Sequence, residues 1–133
     1  MRIAALGLSD AGVDDHRLIA TGPLGYIDFI GLLADARLVL TDSGGVQEET
    51  TLLGVPCLTV RETTERPVTV TSGTNRVVGR DPERLVRAVS AALNTTSPGS
   101  RLPERWDGRA GERIVEHLQA ELKESSSMAS GRG

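Results

Sequence analysis

The distribution of apolar residues along the chain predicts short strands that alternate with helices. Four apolar runs, at 17–20, 37–41, 56–60 and 75–79, are nearly continuous in Leu, Ile and Val instead of alternating with polar residues. Continuous runs of this length are typical of strands covered on both faces, as in parallel sheets. The pattern therefore predicts an α/β domain with a mostly parallel sheet.

Apolar residues at helical spacing predict four helices, over 25–36, 44–54, 81–94 and 107–123. The third has the clearest start, because Asp81 is a natural N-cap and Pro82 suits the first helical position. The apolar face predicted for this helix comprises Leu85, Val86, Val89, Ala92 and Leu93.

Two further features set boundaries along the chain. Gly54 suits the residue after a helix, and Pro56 prevents the 44–54 helix from continuing. The Ser- and Gly-rich segment 124–133 predicts a disordered tail, which leaves 1–123 as one domain.

Composition excludes several classes of function. The 133 residues are 38% hydrophobic, 25% charged and only 2% aromatic, with a net charge of -3. Neither the charge nor the scarce aromatics predict nucleic acid or an anionic membrane as a partner. The chain has no apolar run of about 20 residues for a membrane span, and its short apolar start does not make a signal peptide. A cytoplasmic location is expected.

The single cysteine agrees with that location. Cys57 excludes an internal disulfide and suits a reducing compartment. It lies within an apolar run, so the expected role is that of a buried strand thiol.

The segment "TDSGGVQEE" (41–49) allows two kinds of chemistry. A serine nucleophile needs a histidine that is oriented by a carboxylate. His16 and His117 both lack a persuasive setting, and Gly-x-Ser-x-Gly is absent. The nucleophile interpretation is therefore disfavoured.

The second interpretation is a phosphate-binding turn, where a strand ends, two glycines follow and a helix begins. Ser43 caps such a helix or donates its hydroxyl to a phosphate, beside the free N–H groups of the helix start. The alternative is a capped turn without a ligand, since Asp-Ser-Gly is ordinary turn material. The Walker loop and Gly-x-Gly-x-x-Gly are both absent.

Two carboxylates follow the glycines. Glu49 lies four residues after Gly45 and therefore on the same helical face, where it is placed to accept from two vicinal hydroxyls. Glu48 is interpreted as favourable charge in the first helical turn.

A second polar segment, "RETTERP" (61–67), follows the next predicted strand. Arg61 and Arg66 are candidates for the charge of a diphosphate. The alternative is a solvated loop in which Arg–Glu ion pairs contribute little to stability. Polar loops after two successive strands favour a ligand site, because in parallel sheets ligands bind beyond the carboxyl ends.

The segments "LTDSGGVQEE" and "LGVPCLTVRETTERPVTVTSGTNRVVG" closely resemble the C-terminal half of the non-hydrolysing UDP-N-acetylglucosamine 2-epimerases, over residues 17–94. The resemblance implies a Rossmann-like three-layer domain, one of the two in a glycosyltransferase-B-type fold. It implies UDP or a UDP-N-acetylhexosamine as ligand, with no metal and no cofactor. The residues it assigns are Ser43, Gly44 and Gly45 at the diphosphate, Arg66 at the phosphates, Glu49 at the ribose, and Phe29 with Leu24 at the uracil.

The family's reaction inverts C2 of the sugar by elimination and re-addition of UDP, and it usually supplies N-acetylmannosamine for surface polysaccharide. Its acid/base carboxylates belong to an N-terminal domain, and a further histidine precedes the matched segment. No catalytic residue is therefore expected in this chain, and His16 does not occupy that histidine's place. The chain is expected to be a fragment that lacks the first strand of its domain and is inactive alone.

Partners and alternatives follow from the same resemblance. A separate N-terminal half is a candidate partner, and the full-length family implies a homodimer. Val68 stands where many members have Glu, which leaves the exact N-acetylated sugar open. The alternatives are a non-catalytic nucleotide-sugar binding module, a truncated gene product, or the nucleotide-binding half of a glycosyltransferase.

Overall fold

The structure, a computed structural model, describes Ile19, residues 21–95 and residues 102–130, with side chains described through Lys123. It divides into two compact units, Met1–Asp35 and Ala36–Gly133. In the first unit, helix α1 spans Tyr26–Asp35 and confirms the helix predicted over 25–36. The strand predicted at 17–20 lies outside the described residues except for Ile19, which belongs to no strand.

The second unit contains a parallel sheet with helical crossovers. Its elements in chain order are β1 (Val39–Thr41), α2 (Gly44–Leu53), β2 (Cys57–Thr59), α3 (Pro67–Thr71), β3 (Asn75–Val77), α4 (Pro82–Asn94) and α5 (Ala110–Ser130). The described strands are in the order β1-β2-β3, and both neighbouring pairs are parallel. The predicted α/β class with a parallel sheet is confirmed.

Burial explains the continuously apolar sequence around the central strand, β2. All three residues of β2 are buried, with Leu58 in register with Leu40 on β1 and Arg76 on β3. Leu40 is 47% exposed, so the prediction of burial on both faces holds for β2 and not for this residue. The side chains of β2, which has a neighbouring strand on each side, are more buried than Leu40 on β1, which lies at the edge of the described sheet.

The predicted helix boundaries at Gly54 and Asp81 are confirmed. Gly54 has left-handed backbone angles (φ 72°, ψ 16°), and its N–H closes the end of α2 on carbonyls of Thr50 and Thr51. Glycine adopts these angles without the steric cost of a side chain. At the start of α4, the Asp81 carboxylate accepts a hydrogen bond from the Arg84 N–H at 2.7 Å.

The face of α4 that packs on the sheet differs from the predicted face. Ala88 forms the core with Leu58 and Val78, and Leu85 and Val89 pack against this cluster. Val86 is 65% exposed, although it was assigned to the apolar face. Ala88 satisfies the same i, i+3, i+4 spacing, so only packing could choose between the two overlapping stripes.

Two other helices differ from the sequence prediction. The five-residue helix α3 was not predicted, because a segment this short has no helical periodicity to detect. Helix α5 begins at Ala110 and its backbone continues through Ser130, where the composition of 124–133 predicted disorder. Residues 131–133 lie outside the described part. The strong helix formers Ala120, Glu121, Leu122 and Lys123 precede this segment and favour helical continuation.

Cys57 is the buried strand thiol that the sequence predicted. It is 1% exposed, and burial raises the pKa of its thiol, against smaller opposing effects of hydrogen bonds from Thr50 and Thr59. Because the thiolate is the reactive form, both burial and the raised pKa make this side chain inert in the folded chain.

We expect Cys57 to resist Ellman's reagent at neutral pH in the folded chain and to react stoichiometrically in guanidinium chloride. The measurement is the absorbance of the released thiolate with time in both solvents. Rapid stoichiometric reaction without denaturant would contradict the burial of this thiol.

Candidate functional site

The turn between β1 and α2 presents free backbone donors at the carboxyl edge of the sheet. Ser43 is extended (φ -83°, ψ 129°) at the N-cap of α2. The first intrahelical hydrogen bond runs from the Gln47 N–H to the Ser43 carbonyl at 3.3 Å. The N–H groups of Gly44, Gly45 and Val46 therefore have no partner within the helix, and they carry the positive end of its dipole.

The Ser43 hydroxyl does not cap the helix. Its side chain makes no capping hydrogen bond, although its backbone N–H donates to Thr41 Oγ1 at 3.0 Å. Of the two roles that the sequence left open for this hydroxyl, capping is thus not observed. Ser43 is exposed, so its hydroxyl is accessible beside the free N–H groups.

Arg66 lies over the glycine turn. A β-carbon built on Gly44 would lie 3.8 Å from Arg66 Cγ and Nε. Arg66 comes from the loop between β2 and α3, which starts at the carboxyl end of the neighbouring strand. Both predicted polar loops therefore meet at one edge of the sheet, as parallel pairing requires.

Glu48 forms an ion pair with the Arg66 guanidinium. Glu48 Oε1 and Arg66 Nε are 2.8 Å apart, with side chains 39% and 42% exposed. The buried Arg66 Nε–H makes no hydrogen bond with the described residues, so the contact is an ion pair without directional bonding. An ion pair with this much exposure contributes little to stability.

The interpretation of Glu48 as a first-turn charge was wrong. Helix α2 begins at Gly44 and has no acidic residue in its first turn, so Glu48 and Glu49 fall in the second turn. Glu48 instead pairs with Arg66, 18 positions along the chain, and no local signal indicates a pairing over that separation. Glu49 is half-buried, and its assignment to a ribose stays a prediction.

The two candidate arginines have different surroundings. Arg61 pairs with Glu65 at 3.9 Å, and both side chains are exposed to solvent at 38% and 77%. This contact matches the solvated Arg–Glu pair that the sequence allowed as an alternative. Arg66, in contrast, contacts the glycine turn.

The proposed uracil contacts belong to the other compact unit. Phe29 is half-buried on α1, and Leu24 precedes this helix and is 41% exposed. Their assignment to a base site stays a prediction.

A buried polar network lies beneath the Arg66 loop, and no local pattern in the sequence predicts it. Gln47 is fully buried, and its Oε1 accepts hydrogen bonds from Thr64 Oγ1 and, at 3.1 Å, from Asn75 Nδ2. Asn75 Nδ2 also donates to Thr69 Oγ1 at 3.0 Å, and Asn75 Oδ1 accepts from Thr59 Oγ1 at 2.6 Å. The network joins α2, the 61–66 loop, α3 and two strands.

Cavities lie at both edges of the sheet. One of about 380 Å³ lies at the amino-terminal edge, between the starts of β2 and β3 and the end of α4, and its lining is mainly apolar. Another of about 430 Å³ lies at the carboxyl edge, lined by Leu40, Thr41, Asp42, Val60 and Arg80. Ligands of open parallel sheets bind at the carboxyl edge, where the second cavity lies beside Asp42, the residue before the N-cap Ser43.

Within the part of the chain that the structure describes, no three His, Cys, Asp or Glu side chains cluster as metal ligands. Among the helices of that same part, none combines the length and apolar character needed to cross a bilayer.

The parallel sheet, with a glycine turn opening a helix at its carboxyl edge, defines an α/β domain of the Rossmann-like class. The sequence profile described as UDP-N-acetylglucosamine 2-epimerase matches residues 6–119. The chain belongs to this family, which confirms the resemblance seen in the sequence.

Relatives and solved structures agree with this membership. The chain is 41% identical over 122 residues to UDP-N-acetylglucosamine 2-epimerase of Methanocaldococcus jannaschii, covering 88% of this chain and 31% of the relative. It is 45% identical over 106 residues to that of Escherichia coli K12, covering 77% and 28% respectively. The crystal structure of the M. jannaschii enzyme in complex with UDP-GlcNAc and UDP superposes with a TM-score of 0.72 at 42% identity, covering 89% of this chain and 32% of that one. The chain thus spans about a third of the length of these relatives.

Proposed function

We propose that this chain binds the UDP moiety of a nucleotide sugar, as the nucleotide-binding part of a UDP-N-acetylglucosamine 2-epimerase. The observation that carries the proposal is the position of Arg66 across Gly44, at the free N–H groups of α2. A guanidinium and free backbone N–H groups thus lie close together, and both kinds of donor bind phosphate oxygens.

Gly44 and Gly45 support a ligand site at this turn, because the packing around them leaves room for a side chain and does not explain why both residues are glycine. A β-carbon on Gly44 or Gly45 would meet its nearest neighbours at 3.8 Å and 3.9 Å, which are ordinary contacts. Neither residue has a positive φ. Their lack of side chains instead leaves the backbone N–H groups open to close approach by a bulky anion.

Each remaining residue has a proposed role. Ser43 donates its hydroxyl to a diphosphate oxygen, and Arg66 neutralises phosphate charge. Glu49 accepts from the ribose hydroxyls, since an ionised carboxylate is purely an acceptor. Phe29 and Leu24 contact the uracil, as the family resemblance implies.

For the whole protein we propose interconversion of UDP-N-acetylglucosamine and UDP-N-acetylmannosamine by elimination and re-addition of UDP. The residues of this chain stabilise the departing diphosphate, because donors aimed at developing charge lower the barrier to its departure. The acid/base groups at C2 come from outside the third of the relatives that this chain matches. The chain alone therefore binds UDP without turnover. We also propose that the protein is located in the cytoplasm and that the whole protein acts as a homodimer.

The test is calorimetric titration of the purified chain with UDP, after circular dichroism has shown that it is folded. We expect saturable one-site binding, and no conversion of UDP-N-acetylglucosamine by the chain alone. A folded chain that does not bind UDP refutes the nucleotide site. Sugar transfer to an acceptor by the chain with an N-terminal half would instead support a glycosyltransferase.

We expect Ser43→Ala to weaken UDP binding about two- to tenfold, which corresponds to one hydrogen bond of about 0.5–1.5 kcal/mol. Because this hydroxyl makes no capping bond, the melting temperature should stay close to that of the parent. Titration and thermal unfolding of the same sample separate the two effects. A large loss of stability with unchanged affinity would show that the hydroxyl serves the helix and not the ligand.

A further inference from the structure

The backbone of Arg66 is fixed on both sides by threonine hydroxyls. Its N–H donates to Thr64 Oγ1 at 3.0 Å. Its carbonyl accepts from Thr69 Oγ1 at 2.7 Å and from the Thr69 N–H at 3.0 Å. The backbone of Arg66 is therefore held through its N–H and its carbonyl, independently of the ion pair that its side chain makes with Glu48.

These two threonines are joined through the protein interior. Thr64 Oγ1 donates to Gln47 Oε1, which also accepts from Asn75 Nδ2, and Asn75 Nδ2 donates to Thr69 Oγ1. The hydrogen bonds thus form a closed ring from Arg66 through Thr64, Gln47, Asn75 and Thr69 back to Arg66. Gln47 and Thr69 are 0% exposed and Asn75 is 5% exposed, so the ring is anchored in the core.

We propose that Thr64 is a positioning residue, which holds Arg66 over the glycine turn before the ligand arrives. This inference rests on the proposed UDP site. Thr64 is half-buried, and its hydroxyl both accepts from the Arg66 N–H and donates to Gln47 Oε1. Because the ring already orders the Arg66 backbone during folding, less backbone entropy is lost on binding, and the gain appears as affinity for the diphosphate.

A purely stabilising role gives a different result. Buried hydrogen-bond networks contribute to stability and to rigidity, and a single substitution disturbs both. If Thr64 only stabilised the fold, its removal would lower the melting temperature, and the remaining folded chain would bind UDP as tightly as the parent. A positioning residue must instead act on UDP through Arg66.

The experiment is a double-mutant cycle that combines Thr64→Val with Arg66→Ala, with UDP affinity measured by calorimetry below the unfolding transition. Val preserves the shape of Thr64 and removes both hydrogen bonds of its hydroxyl. We expect Thr64→Val to weaken UDP binding about fivefold in the parent, as for one net hydrogen bond of about 1 kcal/mol. In the Arg66→Ala background it should have no further effect. The control Thr64→Ser keeps the hydroxyl and should bind like the parent.

Equal weakening by Thr64→Val in both backgrounds would overturn the proposal, as would unchanged affinity with only a lower melting temperature. If Thr64→Val does not fold, Thr64→Ala removes the same hydroxyl from this half-buried position and replaces it in the cycle.

Amide hydrogen exchange separates failure of this inference from failure of the UDP site. In the ligand-free chain, Thr64→Val should speed exchange of the Arg66 amide, because its acceptor is lost. A parent chain that does not bind UDP refutes the proposed function, and the exchange rate then decides about Thr64 by itself. An unchanged rate at Arg66 overturns the positioning role.

Discussion

Arg66→Ala should weaken UDP binding about 10- to 100-fold. The substitution removes a charge-assisted contact, for which the expected contribution is about 1.5–3 kcal/mol. It also removes the guanidinium that lies against Gly44 of the glycine turn. Calorimetric titration at low ionic strength measures the effect, and added salt should narrow the difference between parent and variant, because salt screens exposed charges.

Two further variants define the cause of that loss. Arg87→Ala removes the same charge from a side chain that is 70% exposed on α4 and paired with Glu83, and it should bind UDP like the parent. Arg66→Lys keeps the charge without the planar fork, so an intermediate affinity is expected. If Arg66→Ala and Arg87→Ala bind equally well, Arg66 is not part of a nucleotide site.

Gly73→Ala should destabilise the folded chain by about 3 kcal/mol, the upper end of the usual cost of overpacking. A β-carbon at this position would lie 2.6 Å from the Thr69 carbonyl and even closer to the Thr51 side chain. Thr51 is fully buried, and its hydroxyl donates to the Gln47 carbonyl at 2.8 Å, so it has little freedom to move away. Since whole domains are stable by about 5–15 kcal/mol, this loss is large.

Urea unfolding followed by circular dichroism measures the effect of Gly73→Ala. The matched control is Gly111→Ala in α5, where a β-carbon would meet nothing within 4 Å. That control should leave the free energy of unfolding unchanged or raise it by about 0.5–1 kcal/mol, through the better helix propensity of alanine. Equal midpoints for Gly73→Ala and the parent would mean that α3 shifts away at little cost.

Helices α2 and α4 show that local sequence predicts where a helix begins or ends more accurately than which face it buries. Gly54 and Asp81 marked helix boundaries correctly, because a left-handed angle and an N-cap hydrogen bond depend on the residue itself and its nearest neighbours. The buried face of α4 was assigned less accurately, since Val86 and Ala88 fit the same spacing. Contact with Leu58 and Val78 of the sheet decided in favour of Ala88.

The features of the candidate site likewise fall into those that local sequence predicts and those that depend on contacts between distant residues. The glycine turn and the arginine loop were found from sequence, because each polar segment directly follows an apolar run and parallel strands bring their carboxyl ends together. Which arginine reaches the turn, and the pairing of Glu48 with Arg66, depend on residues that are far apart in the chain. The ring that contains Gln47 and Asn75 spans 28 positions, so no local pattern reports it.

The sequence by itself determined the α/β class, the parallel strands, the end of α2 at Gly54, the start of α4 at Asp81 and the membership of an epimerase family. These follow from periodicity, from the conformational limits of single residues and from long ordered motifs. Only the tertiary structure decided the packing face of α4, the ion pair between Glu48 and Arg66, and the threonine and amide side chains that form hydrogen bonds around the Arg66 backbone. Those features arise from contacts between distant segments, which exist only once the chain has folded.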